Sequence, residues 1–150
     1  MVTLVTGGTG FVGANIVRDL ARNGHQVVSF DINGPDHLLQ DFLGGDASTV
    51  TFVQGDIVDR KSVETLGQNH RLEKIVHAAV YTVNREALEI ERSRDVVAIN
   101  LEGTANLLEL ARTQRVSRFV YVSSGAAYGA ALPGDQTLNE ETPPAPENLY

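Results

Sequence analysis

Chemistry in this chain begins with seven residues, Gly7-Gly8-Thr9-Gly10-Phe11-Val12-Gly13, which come directly after the short run Val2–Thr6. A glycine turn between a strand and a helix lets the backbone approach a pyrophosphate closely. The unpaired N–H groups of the first helical turn then point at the anion. Two spacings fit: Gly8, Gly10 and Gly13 give G-x-G-x-x-G, and Gly7, Gly10 and Gly13 give G-x-x-G-x-x-G. With fourteen glycines in 150 residues, either triplet alone arises readily by chance, so the weight rests on the strand before and the helix after.

Asp31 lies 21 residues after Gly10, at the end of the next strand-like run. A carboxylate there can accept hydrogen bonds from both hydroxyls of an adenosine ribose and repels a 2′-phosphate, which favours NAD over NADP. A solvated aspartate opening a turn is the competing reading. In Gln54-Gly55-Asp56-Ile57, Asp56 can bond an adenine amino group while Ile57 covers the ring; a turn or capping aspartate is the alternative. His77-Ala78-Ala79 ends a further apolar run with small residues that let a cofactor lie against the backbone, and His77 reads as a packed core histidine. Asn100 and Thr104 can support a neighbouring loop or touch a cofactor. Ser123-Ser124 ends another strand-like run, where a serine hydroxyl faces the place of a nicotinamide. No G-x-S-x-G elbow surrounds it, which rejects a hydrolase nucleophile.

Five strands and the helices between them must carry these residues. The predicted strands are Val2–Thr6, Gln26–Phe30, Val50–Val53, Lys74–Ala79 and Phe119–Ser123. Helical spacing of Val12, Ile16, Val17 and Leu20 predicts a helix from Phe11 to Arg22, stopped by Asn23-Gly24. Asp59 opens a short helix through Leu66 that Gly67 ends. A long helix is expected from about Ser93 to Thr113, with Val97, Leu101, Ala105, Leu108 and Ala111 along one face and Gly103 at a point of close packing. Residues 35–48 read as a connection with a helical turn at 37–42, residues 81–92 as irregular, and everything from Gly125 onward as loop. Strands alternating with helices give an α/β, Rossmann-type, doubly wound parallel sheet in the order 3-2-1-4-5, with ligands outside the carboxyl ends of the strands.

Composition narrows the field. The net charge is −7 and the twelve basic residues form no run, which argues against nucleic acid or an anionic membrane as partner. Cysteine is absent, so there is no disulfide framework and no thiolate nucleophile. The four histidines have no zinc-ligand spacing, so no metal is expected. No apolar run approaches the roughly 18 residues of a membrane span. With a strand starting at residue 2 and no room for a signal peptide, the expectation is a cytoplasmic protein.

Taken together, these motifs resemble the NAD-dependent epimerase/dehydratase group of the extended short-chain dehydrogenases/reductases. The resemblance rests on Thr6–Gly13, Asp31, Gly55-Asp56-Ile57, His77-Ala78-Ala79, Asn100-Leu101-Glu102-Gly103-Thr104 and Val122-Ser123-Ser124 with Tyr128-Gly129. It selects the Gly7, Gly10, Gly13 spacing. It implies NAD as cofactor, bound by Gly7, Gly10, Phe11, Val12, Gly13, Asp31, Asp56, Ile57, Ala78, Ala79, Asn100 and Val122. It makes Ser124 the group that orients a substrate oxygen and places the catalytic tyrosine, after a proline-bearing loop, at Tyr150. A lysine four residues beyond that tyrosine, and the residues that build a substrate pocket, fall outside the 150. The resemblance therefore implies the NAD-binding N-terminal half of a longer enzyme, inactive by itself, whose long helix can pair in a homodimer.

The implied reaction is epimerisation of a sugar or nucleotide sugar through a transient keto form. An NAD-dependent dehydrogenase of a small sugar, sugar acid or hydroxy acid stands close behind, and a non-catalytic NAD sensor is the third reading. Gly125-Ala126 replaces the acidic pair of the family's dehydratases. The segment from Tyr81-Thr82-Val83-Asn84-Arg85 to Arg94 departs from the serine and proline pattern of nucleotide-sugar epimerases.

Overall fold

A computed structural model describes residues 2–82, 90–129 and 137–150 of the chain. Five strands form one parallel sheet: β1 (Val2–Thr6), β2 (Gln26–Asp31), β3 (Val50–Gln54), β4 (Lys74–His77) and β5 (Arg118–Tyr121). Their order is β3-β2-β1-β4-β5, as the alternation of strands and helices predicts. Parallel pairing sets Thr6 beside both Phe30 and His77, Phe30 beside Val53, and His77 beside Tyr121. That row is the carboxyl edge of the sheet. Gly7, Asp31, Gln54, Ala78 and Val122 each come one residue past it, so the register alone brings sequence-distant site residues to one edge.

Helices cover both faces. α1 (Phe11–Arg22) and α2 (His37–Leu43) lie on one side, where Val5, Ala14, Val17, Val27, Leu39 and Leu43 make a core cluster. α3 (Arg60–Asn69) and, further along the chain, the helix Thr104–Gln114 cover the other, over Leu4, Val28, Phe30, Ile75 and Leu107. Alternate residues of β1 and β2 thus enter opposite cores, the period-2 rule for a doubly covered strand. α1 stops where expected: Gly24, at φ +77°, donates to the Ala21 carbonyl at 2.9 Å and His25 to that of Leu20 at 3.1 Å, a Schellman ending.

Several expectations need correction. The connection at 35–48 holds a full helix, α2, capped by Asp36, whose carboxylate accepts the Leu39 N–H at 2.8 Å, and then a 3₁₀ segment, Gly44–Thr49. Gly67 does not end α3, which runs to Asn69. A Cβ on Gly67 would lie 2.5 Å from Leu110 Cδ1, so the glycine serves helix packing. β4 stops at His77 and β5 at Tyr121; the last bond between them is Val122 N–H to the His77 carbonyl at 2.9 Å. β5 is apolar in sequence but lies at the sheet edge, with Val120 and Tyr121 43% and 48% exposed. The expected long helix is three pieces: α4 (Ser93–Val97), a π segment Ala98–Gly103, and α5 (Thr104–Gln114). A π turn holds an extra residue and so rotates every later side chain about the helix axis. The stripe that faces inward is therefore Val96, Gly103, Leu107 and Leu110, while Leu101 and Leu108 are 62% and 50% exposed. Of the segment read as irregular, residues 83–89 lie outside the described residues, as do 130–136 of the final loop.

Candidate functional site

The glycine turn is built by exclusion of side chains. Gly7 has φ +68°, and a Cβ on it would meet the backbone of Ala79 at 2.7 Å. A Cβ on Gly13 would strike the Gly7 carbonyl, and one on Gly8 would strike Ser29 Oγ beneath it. A Cβ on Gly8 thus has less room than one on Gly10, which would meet only the Gly7 carbonyl at 3.3 Å, a difference the spacing alone does not reveal. Gly7 donates to the Phe30 carbonyl at 2.9 Å, and Gly10 donates back to Gly7 at 3.0 Å. Gly10 caps α1 with no side-chain bond, and the first turn carries no acidic residue. The N–H groups of Phe11, Val12 and Gly13 therefore face outward without a competing anion. Phe11 and Val12 are 89% and 50% exposed.

Asp31 is fixed by two backbone donors: Thr9 N–H to Oδ2 at 3.1 Å and Asn33 N–H to Oδ1 at 3.0 Å. Each carboxylate oxygen keeps a lone pair for a further donor. Beside it lies a cavity of about 280 Å³ lined by Gly7, Asp31, Asp56, Ile57, Ala78 and Ala79 together with Ile32, Asn33, Val80, Tyr81 and Ile99. Asp56 is also a turn aspartate, accepting the Val58 N–H at 2.8 Å. Ile57 is buried under Gly103, where a Cβ would approach it to 2.6 Å. Asn106 holds the Ile57 and Val58 carbonyls through its amide, at 2.9 and 3.2 Å. Sequence reasoning misses Val80, Tyr81 and Ile99 because they sit after a strand end and in a π turn, where no periodic pattern announces a wall.

A second cavity, about 290 Å³, opens beside the end of β5. Ser124, Tyr150, Asn100 and Val122 all line it, with Ser123, Asn148 and, shared with the first cavity, Val80. The stretch after Ser124 is not plain loop. It forms a 3₁₀ turn, Gly125–Tyr128, with Ser124 Oγ accepting the Ala126 N–H at 3.2 Å. Gly129, at φ +75°, lies against the Ala145 carbonyl, and Ala145 donates to the Ala127 carbonyl at 3.0 Å. Those contacts fold residues 143–150 back over the turn and bring Tyr150 to Ser124. Asn100 clasps the wall between the cavities: its Oδ1 accepts the Tyr81 N–H at 2.8 Å and its Nδ2 donates to the Tyr81 carbonyl at 3.1 Å. His77 is buried, and burial lowers its imidazole from 6.5 to about 4, so it is neutral near neutral pH. Among the described residues no cluster of three or more His, Asp or Glu side chains is placed to hold a metal, and no helix is long and apolar enough to cross a membrane.

The sequence matches the family described as the NAD dependent epimerase/dehydratase family over residues 3–150. The chain belongs to that family. Within it, the chain is 31% identical over 150 residues to UDP-glucose 4-epimerase of Halalkalibacterium halodurans, covering all of this chain and 42% of the relative. It is 35% identical over 158 aligned residues to dTDP-glucose 4,6-dehydratase of Streptomyces niveus, covering all of this chain and 45% of that protein. Among solved structures, Thermus thermophilus UDP-glucose 4-epimerase in complex with NAD superposes with a TM-score of 0.85 at 30% identity, over 100% of this chain and 46% of the other. The chain thus spans less than half the length of these epimerase/dehydratase family proteins.

Proposed function

We propose that this chain is the NAD-binding part of an epimerase acting on a nucleotide sugar through a transient keto form. The observation that carries the reading is the adjacency of two cavities that share Val80 as a lining residue: one is lined by Gly7, the first residue of the glycine turn, and Asp31, the other by Ser124 and Tyr150. The residues present fit the cofactor, since Gly7 and Gly13 pack backbone on backbone with no room for a Cβ, which leaves the turn free of side chains there, and Asp31 keeps lone pairs toward a ribose. NAD bound there supplies a reversible hydride acceptor. Ser124 Oγ accepts a backbone N–H, which leaves its own proton to donate to a substrate oxygen as that oxygen becomes a carbonyl. Tyr150 takes the hydroxyl proton. A phenol of ordinary pKa near 10 is a weak base at neutral pH, so an adjacent cation must favour the phenolate; in the family resemblance a lysine four residues further on has that role.

The second cavity is lined by no Asp or Glu side chain among the described residues, and Ala126 stands where a dehydratase would present an acid. This supports epimerisation over elimination of water. The test is the complete enzyme incubated with a UDP-hexose. Interconversion of the 4-epimers with no build-up of free NADH is expected; stoichiometric NADH with a released ketone would replace this reading by the dehydrogenase one.

A further inference from the structure

One buried, titratable side chain has no part in that chemistry. His77 is 1% exposed, yet both ring nitrogens are engaged: Nδ1 with Thr6 Oγ1 at 2.7 Å and Nε2 with Thr104 Oγ1 at 2.9 Å. Thr104 sets the direction of these bonds. Its hydroxyl donates its single proton to the Asn100 carbonyl at 2.7 Å, so toward His77 it can only accept. The ring proton of neutral His77 is therefore on Nε2, and bare Nδ1 accepts from the Thr6 hydroxyl. Thr6 Oγ1 in turn accepts the Ala79 N–H at 3.4 Å. The phenyl ring of Phe119 and the phenol ring of Tyr121 meet the imidazole edge-on, at 6.2 and 5.4 Å between centroids, and fix its plane.

The relay spans three elements. It starts at the end of β1, one residue before Gly7, crosses β4, and finishes on the carbonyl of Asn100 inside the π segment. Asn100 is the residue whose side chain clasps Tyr81, and the clasp divides the two cavities. We propose that His77 is a positioning residue: as the Nε2–H tautomer it sets the π segment against the edge of β4, so that the Asn100–Tyr81 clasp closes and fixes the border where the two cavities meet. An acceptor on one side and a donor on the other, at fixed separation in a buried plane, is a demand an imidazole meets and a hydroxyl or phenyl ring does not.

The proposal uses the NAD reading for only one of its measurements. In the ligand-free chain carrying isotope-labelled histidine, the ring nitrogens of His77 are expected to show the Nε2–H tautomer at neutral pH. An Nδ1–H tautomer overturns the proposal, whatever the variants do. Thr104→Val keeps the side-chain shape and removes both hydroxyl bonds. It should speed hydrogen exchange of the Tyr81 amide by about tenfold and weaken NAD binding by about fivefold, while Thr104→Ser restores both. Unchanged Tyr81 exchange in Thr104→Val, with or without a lower melting temperature, assigns the relay to core stability and overturns positioning. Failure of the unmodified chain to bind NAD defeats the cofactor reading, and leaves the tautomer and the exchange to decide this one.

Discussion

The two cavities are nearly equal in volume, about 280 and 290 Å³, and are made in opposite ways. The first is bounded by the ends of four strands, whose register is set by the sheet, and by Gly7, pressed against the backbone of Ala79. A Cβ on Gly55 would likewise meet the Phe30 ring, at 2.5 Å. The second has one strand end, a 3₁₀ turn and a returning tail, joined by single bonds such as Ala145 N–H to the Ala127 carbonyl. Anchoring a nucleotide takes backbone at fixed positions, and parallel packing supplies it as part of the fold. Reaction groups on loops can vary without touching that packing. Substitutions in the first cavity should therefore strike stability and binding together, and those in the second should strike chemistry alone.

Gly7→Ala is the strongest test. It forces a side chain into φ +68° and onto the Ala79 backbone. Strain of about 1–2 kcal/mol and overpacking of about 1–3 kcal/mol predict roughly 3 kcal/mol lost in urea unfolding, together with loss of measurable NAD binding. A variant that kept both would show that the first cavity is no better determined than the second.

Acid should loosen the packed side next. The described groups against the His77 ring are Thr6, Thr104, Phe119 and Tyr121, none of them a carboxylate or a cation. Burial holds His77 down to about 4 in the folded chain, against 6.5 unfolded. Between those values the unfolded chain binds the extra proton, so stability is full above pH 6.5 and falls as pH drops toward 4. The loss is about 3 kcal/mol at 1.36 kcal/mol per unit. It is read as the difference in pH dependence between the chain and His77→Gln, which lacks the titrating group. Equal slopes would mean that His77 is solvated in the folded state.

The same contrast explains what the sequence discloses. Strands, their order and Gly7, Asp31 and Ala79 are legible because period-2 burial, β-branched runs and glycine at a strand end each have one physical cause. Ser124 and Tyr150 come from family resemblance, since a serine in a polar loop and a terminal tyrosine carry no periodic signal. The inward face of the 93–114 helix is not legible, for a related reason. A π segment leaves no mark in the pattern of apolar residues, and the face that packs depends on Gly103 meeting Ile57, distant in the chain. Gly8 is named by one of the two spacings and then set aside for Gly7, because the contact that confines it is with Ser29, twenty-one residues away.

A smaller effect is expected at Asp31. Asp31→Ala removes the acceptor proposed for a ribose and the anchor of Thr9 N–H, but no core contact. NAD affinity should fall by about tenfold, the value of a lost charged hydrogen bond, while NADP affinity holds or rises. Titration of both nucleotides against both proteins gives the comparison; equal affinities in the unmodified chain would remove the argument for NAD.

Ser124→Ala should change least in the folded chain, and for that reason it sharpens the contrast most. The hydroxyl accepts one N–H, from Ala126, in a turn with no buried residue. Losing that bond shifts stability by no more than about 0.5 kcal/mol, as for surface positions in general, and leaves NAD affinity unchanged. In the complete enzyme, on the proposed function, the same substitution would remove a donor aimed at a developing carbonyl oxygen, for which a loss of about 100-fold in kcat with little change in KM is expected. A drop in stability near that of Gly7→Ala would mean that the 3₁₀ turn is part of the packed frame. The two cavities would then share one scaffold, and the separation of binding from chemistry would fail at its second half.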